Sequence, residues 1–502
     1  MSLLMWTAVA RGCSALKEVL LAAVLGTGVW KDALVAAWTA PAWIASFGSE
    51  TVPALLTPRW VAEGPGRLRG LMGSVTGALL VLSVAGVVWP RQLVHCLLPM
   101  LPSGTLMAAA ALERWLALNI ALLGLQAMLA AGCNASRQFA WPPAGTALAA
   151  AVVAVVVLVT RNIPLQQRTP EIAAAITAGN ALGLGIQAAG FWRGRRRRPH
   201  PVAAPSQVPV ARPLAGLLLA MLLLNSVPLA ERMIAGGLSA GSLAAWDYGH
   251  RLVQFVFTLA VGPLTAVSFT RLAEAAGATA GGAIFARQCE QSLTEVLQVA
   301  LPLAAVLATF APLLTRATLG WGRFQAGSVA LTAPVVSVLG GGIGLEAAMY
   351  FLLCAVYACG RPGVKLPLVL SLAAVNVPLA FWWGERWGVA GLAAAHLMGL
   401  AAALGWLAVR AARYLPGVRL RLSVLPGALT GGFALASAAL ARGLLPAAAV
   451  KGTLGPGSSC AWAAVALLLT AGGARGLAKW LAPVLIPSHA RPRLTTPEAE
   501  LA

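Results

Sequence analysis

Long apolar runs follow one another along nearly the whole chain, each closed off by glycine, proline or arginine. A helix needs about 20 predominantly apolar residues to cross the hydrocarbon core of a bilayer. The punctuation predicts spans near residues 8–26, 31–57, 69–89, 106–132, 143–160, 170–191, 213–235, 242–269, 291–315, 328–357, 364–383, 388–409, 423–443 and 457–485. The expected fold class is therefore an all-α polytopic membrane protein of about 14 transmembrane helices. The expected divisions are 1–192, holding spans 1–6, a basic linker at 193–212, and 213–412, holding spans 7–12. Two further spans fall in 413–486, and a tail follows at 487–502.

Composition agrees with this pattern. Of 502 residues, 59% are hydrophobic and 10% charged, with a mean hydropathy of +0.80. Soluble domains carry roughly a quarter charged residues, so lipid is the expected solvent here. The first run lacks an A-x-A cleavage site with a soluble domain behind it, and is expected to be a retained helix rather than a signal peptide.

The net charge of +21 has two readings, nucleic acid or membrane topology. Arg and Lys gather in short loops between the apolar runs, the densest being Arg193-Gly-Arg-Arg-Arg-Arg198. That distribution orients a membrane protein and suits contact with anionic lipid headgroups, so no nucleic-acid partner is expected. With the N-terminus inside, the inner segments carry more than twice as many Lys and Arg as the outer loops. Both termini are therefore expected in the cytoplasm.

The seven cysteines show no paired spacing and the five histidines are dispersed in sequence. Neither a metal site nor a cofactor is expected. No G-x-x-x-x-G-K-[ST] loop is present for nucleotide hydrolysis. The longest polar stretch, about 193–212, is basic and proline-rich, so an enzyme is not expected.

An ionisable side chain at membrane depth costs at least about 2.5–3.5 kcal/mol on insertion scales and marks a candidate functional position. In the first half these are Lys17, Glu18, Asp32 and Glu50; in the second they are Glu231, Arg232, Asp247 and Arg251. Asp247, Arg251 and Gln254 fall on one face of span 8. Either Asp247 and Arg251 pair within the helix, or the guanidinium is presented to an anionic substrate, whose phosphate geometry it suits. Lys17–Glu18 and Glu231–Arg232 are sequence neighbours, so each side chain is expected to reach another helix rather than its neighbour. Cations from both halves point to a cavity that favours an anion, with a lipid diphosphate as the natural candidate. A weak internal repeat supports two halves: Arg137-Gln-Phe-Ala-Trp-Pro142 leads into span 5 as Arg361-Pro-Gly-Val-Lys-Leu-Pro367 leads into span 11.

These residues resemble a known family. The stretch from Ser14 through Lys17-Glu18, Gly26-Thr-Gly28, Asp32-Ala33 and Pro41 to Glu50 and Pro58 is similar to the N-terminal signature of the MurJ/MviN family. Glu231-Arg232-Met-Ile-Ala and Gly241-Ser-Leu-Ala-Ala-Trp-Asp-Tyr248-Gly-His-Arg251-Leu resemble its second half. Asn134, Phe139, Pro142, Gly322-Arg-Phe324, Tyr357, Pro362, Pro367, Asn376 and Gly388-Val-Ala-Gly391 extend the likeness over roughly residues 10–410.

The resemblance implies a member of the MOP exporter superfamily, with two six-helix lobes plus two C-terminal helices that line a groove for a polyprenyl tail. It implies a monomer in the bacterial inner membrane that flips lipid II, the undecaprenyl-diphosphate-linked peptidoglycan precursor, by alternating access. Lys17 and Arg251 match cavity positions that engage the diphosphate, and Asp32 matches an acidic residue near the outer gate. Glu231, Arg232 and Asp247 complete the expected substrate-binding set. Ala45 and Ser46 stand where the family has cavity-facing basic residues, and Lys17 stands where arginine is usual. A flippase for another lipid-linked oligosaccharide, such as an exopolysaccharide unit, is the alternative; a MATE-type cation antiporter is a further one. Gly26, Gly28, Gly236, Gly237 and Gly241 are expected bending points.

Overall fold

The computed structural model describes residues 3–46, 56, 60, 69–196, 225–277, 281–415, 418, 420–451, 455–467 and 470. Within them the chain is helical, and no strand occurs among the described residues. An all-helical answer follows from the solvent: lipid offers no hydrogen bonds, so every backbone N–H and C=O must be satisfied inside its own segment.

The helices are α1 (Leu3–Leu25), α2 (Val29–Ala37), α3 (Arg69–Val88), α4 (Pro90–Leu97), α5 (Ser103–Leu116), α6 (Leu118–Ala135), α7 (Trp141–Val159) and α8 (Leu165–Arg196). The second half holds α9 (Ser226–Gly237), α10 (Ser242–Ala260), α11 (Gly262–Gly277), α12 (Gly281–Leu319), α13 (Ala326–Gly341), α14 (Ile343–Ala358), α15 (Lys365–Tyr414), α16 (Leu420–Leu444) and α17 (Ala447–Val450). Residues 39–46 and 456–467 are also helical. Each expected span falls on helix, apart from short breaks and its ends, wherever it lies in described residues; Glu50, much of spans 2 and 14 and the start of span 7 lie outside them.

Among the described residues five helices are long and apolar enough to cross a membrane, and up to eight segments qualify if each of three bent pairs counts as one span. The bends break runs that hydropathy shows as continuous. Span 8 is broken between α10 and α11 by 47°, and span 10 between α13 and α14 by 45°. Span 4 is interrupted at Ala117. Spans 11 and 12 form the single element α15, broken inside by Gly388 at φ 60°, ψ −144°. A short helix, α4, turns off the end of α3 by 105°, where the apolar pattern marks only a loop. Pro90 begins it, which suits a residue with no N–H to donate.

The weak repeat has a structural counterpart. Arg137 (φ 58°) and Gly360 (φ 72°) both adopt the left-handed conformation. The following N–H groups, of Gln138 and Arg361, each reach back five residues, to Cys133 O at 2.8 Å and Val356 O at 3.3 Å. Both are the same helix-ending turn. The two turns correspond with Arg137 opposite Gly360, one residue away from the register set by matching the two arginines.

A single large apolar core joins the halves, running from Leu21 and Leu34 to Leu243, Val335 and Leu407. A smaller one packs α12 against α16 and the helical segment after Gly455.

Candidate functional site

The polar residues that interrupt α1, α2 and α10 meet in one place. Arg251 donates from Nε to Asp247 Oδ2 at 2.9 Å and from Nη1 to Glu18 Oε1 at 3.0 Å. Lys17 Nζ stands 3.0 Å from Glu18 Oε1. Lys31 Nζ stands 3.3 Å from Asp247 Oδ2 and 3.9 Å from Glu18 Oε2, and lies 4.2 Å from the centre of the Tyr248 ring. Three cations therefore share two carboxylates, leaving one positive charge in surplus. Both readings of the span 8 stripe meet here, because Arg251 pairs within its helix and also reaches across to α1.

Lys17 corrects one expectation: it bends to its sequence neighbour, which its long flexible stem allows. Glu18 still reaches across, to both Arg251 and Lys31. Lys31, at the head of expected span 2, has a side chain only 3% exposed; the helical turn that begins at Val29 carries it inward.

Two cavities open on this network, one of about 130 Å³ and one of about 660 Å³. Both are lined by Ser14, Lys17, Glu18, Thr146 and Arg251. Arg251 keeps a side-chain exposure of 36%, against 4% for Asp247. Among the described residues its Nη2 makes no hydrogen bond, so one side of the guanidinium fork faces the cavity. The larger cavity matches the usual size of a ligand pocket, about 300–1,000 Å³.

Next to Lys31 along the chain, the two halves are pinned together. The Asp32 carboxylate accepts the N–H of Gly241 at 2.6 Å and of Ala244 at 2.7 Å. Thr27 Oγ1 donates to Ser328 Oγ at 2.8 Å, and the Arg323 N–H donates to Ala23 O at 2.7 Å. Gly26 and Gly241, both at positive φ, let the two halves approach closely: a Cβ on Gly241 would lie 2.8 Å from Thr27 O. Among the other expected bending points, Gly236 and Gly237 end α9 as helix and Gly28 caps α2 in extended backbone.

The remaining site residues lie elsewhere. Glu231 Oε1 accepts Asn376 Nδ2 at 2.6 Å and lies 2.6 Å from His396 Nδ1, so it does reach another helix, as expected. Arg232, half-buried, makes no hydrogen bond or ion pair among the described residues. Ser46 Oγ bonds Asn225 Oδ1 at 2.7 Å, tying span 2 to the head of α9.

Three features escape the sequence reading. The histidines are not all dispersed in space: the rings of His250 and His396 lie 6.3 Å apart. Glu346 accepts Gln254 Nε2 at 2.7 Å, and Glu113 is 1% exposed with neither carboxylate oxygen hydrogen-bonded. Both acids lie inside apolar runs, Glu113 directly before Arg114 and Glu346 with no charged neighbour.

The family model described as lipid II flippase MurJ matches residues 22–453. The chain belongs to that family. No curated protein matches it in sequence. The fold is similar to a solved lipid II flippase MurJ in an inward closed conformation, with a TM-score of 0.76 at 13% identity, covering 96% of this chain and 99% of that one. It is also similar to an inward-facing multidrug resistance MATE family transporter of the MOP superfamily, with a TM-score of 0.62 at 12% identity over 82% and 99% of the two chains. The MurJ family are transporters rather than enzymes, and this chain is an all-α polytopic membrane protein.

Proposed function

We propose that this chain flips a polyprenyl-diphosphate-linked glycan, lipid II first among them, outward across the bacterial inner membrane. The observation that carries this reading is the cation surplus of Lys17, Lys31 and Arg251 over Glu18 and Asp247, set on a cavity between the halves. A diphosphate entering that cavity replaces the carboxylates as partner of Arg251, whose planar fork matches phosphate oxygens in pairs. Glu18 and Asp247 hold the cations in place while the cavity is empty, and the exchange of partners is the binding event. No covalent chemistry is required.

In this reading residues 1–192 and 213–412 are two lobes that rock against each other, and 413–486 adds the two spans that guide the lipid tail. The protein works as a monomer with both termini in the cytoplasm. The contacts of Asp32, Thr27 and Ala23 with the second half then close the outward end, and the cavity opens inward.

The second reading is an exopolysaccharide or other oligosaccharide unit on the same diphosphate lipid. Ala45 and Ser46 favour it, since the Ser46 hydroxyl is engaged by Asn225 and offers no cation to the headgroup. Complementation of a strain depleted of its lipid II flippase separates the two. Growth supports lipid II as cargo; a protein that inserts yet fails to restore growth points to the other glycan.

A further inference from the structure

A second polar cluster borders the charge network along α10, with Gln254 lining cavities of both. It is built from α9, α10, α14 and α15. Glu231, with a side chain 3% exposed, holds His396 Nδ1 at 2.6 Å and accepts Asn376 Nδ2 at the same oxygen. His250 faces His396 across 6.3 Å, and Trp246 lies against both rings at 5.9 and 6.4 Å. Between them His250, Gln254, Glu346 and His396 line a small cavity of about 10 Å³, the lower limit for a single water.

The donor set decides what such a cluster takes. Oε1 of the Glu231 carboxylate is already shared by an imidazole nitrogen and an amide. Among the described residues no group of three His, Cys, Asp or Glu is arranged to hold a metal ion. Histidine is the side chain whose charge changes near neutral pH. We propose that Glu231 and His396 form a proton-binding site that drives rearrangement of the anion site through α10, with H⁺ rather than a metal cation as its ligand.

Charge balance supplies the coupling. With the proton bound, the Glu231 carboxylate faces an imidazolium and the pair is neutral. When His396 gives up its Nε2 proton, by way of the small cavity toward His250 and Glu346, the neutral ring keeps its Nδ1–H on Glu231 but no longer offsets the charge of the buried carboxylate. A buried charge without a partner is strongly disfavoured, so a cation must move toward it. Arg232 follows Glu231 directly and lies within electrostatic reach of Glu231, Asp247 and Arg251. Its turn toward Glu231 withdraws positive potential from Asp247 and loosens the hold on Arg251, one residue after His250.

The other charged groups around the cluster are already engaged. Glu346 accepts Gln254 on α10. On α2, Asp32 caps α10 and Lys31 faces Asp247 and Glu18. Asn376 acts as a positioning residue, holding Glu231 toward His396.

The link to transport rests on the flippase reading; proton binding does not. The first test therefore needs no substrate: NMR of the full chain in nanodiscs with labelled histidine, assigned with His250→Asn and His396→Asn. A downfield Nδ1 proton on His396, lost in Glu231→Gln and unaffected when sodium replaces potassium, is expected. Its absence in the wild type, or its displacement by sodium, overturns the site. The second test uses proteoliposomes and a fluorescent undecaprenyl-diphosphate-linked precursor. Expected are equilibrium exchange without any gradient, faster net flipping under a pH gradient, and loss of only that acceleration in His396→Asn. Exchange with no response to the pH gradient overturns the coupling. No exchange in the wild type overturns the flippase reading instead, and the NMR result still decides the site.

Discussion

Asp32 supplies Ala244 with the cap that Gly241 cannot give: its carboxylate accepts the Ala244 N–H at 2.7 Å, from a position 212 residues earlier in the chain. Helices begin with N–H groups that have no intrahelical partner, and a capping side chain on the preceding residue normally takes one. Here the preceding residue is glycine at φ 88°, so an acid on α2 does it instead, and the favourable charge at a helix N-terminus becomes a latch between the halves.

Asp32→Asn therefore weakens the latch. A hydrogen bond to a charged group contributes about 1.5–3 kcal/mol, which is roughly ten- to a hundredfold in the closed-to-open ratio. Spin labels at positions 27 and 328, whose hydroxyls are 2.8 Å apart, should show a longer distance in the variant.

Gly241→Ala opens the same end by another route. A Cβ there meets Thr27 O at 2.8 Å and sits at positive φ, a conformation that favours glycine. The same spin-label pair should separate, while helix content by circular dichroism stays unchanged.

Asp247→Asn removes the carboxylate shared by Lys31 and Arg251. Breaking a buried pair by deleting one partner costs about 3–5 kcal/mol. The detergent-solubilised variant should unfold at a clearly lower temperature than wild type, and Asp247→Glu should recover most of the loss.

Glu113→Gln should cost nothing in transport. Both carboxylate oxygens are buried without a hydrogen bond, so a neutral amide is tolerated at least as well. A cation antiporter carrying its ion on an unpaired acid predicts the reverse, and uptake of a lipophilic cation with and without the change distinguishes the two.

Much of this architecture is legible in the sequence because lipid imposes a single rule: apolar runs of spanning length become helices. The residues of the network were legible one by one, since Lys17, Glu18, Asp32, Asp247 and Arg251 break those runs. Their partners were not. Hydropathy carries no information on which helix faces which, so neither the capture of Glu18 by Arg251 nor the burial of Lys31 could be read from spacing. The bends at Val261 and Gly342 escaped because a broken helix has the same apolar content as a straight one. His250 and His396 stand far apart in sequence, and only the packing of α15 against α10 brings their rings together.

Transport by this chain requires a cationic cavity that binds a lipid diphosphate, and the most direct measurement is flipping of a fluorescent undecaprenyl-diphosphate-linked precursor by proteoliposomes holding wild type, Arg251→Lys or Arg251→Glu. Wild type should flip, the lysine variant should flip more slowly, and the glutamate variant should insert and fold yet not flip. Flipping by Arg251→Glu at the wild-type rate would contradict the account.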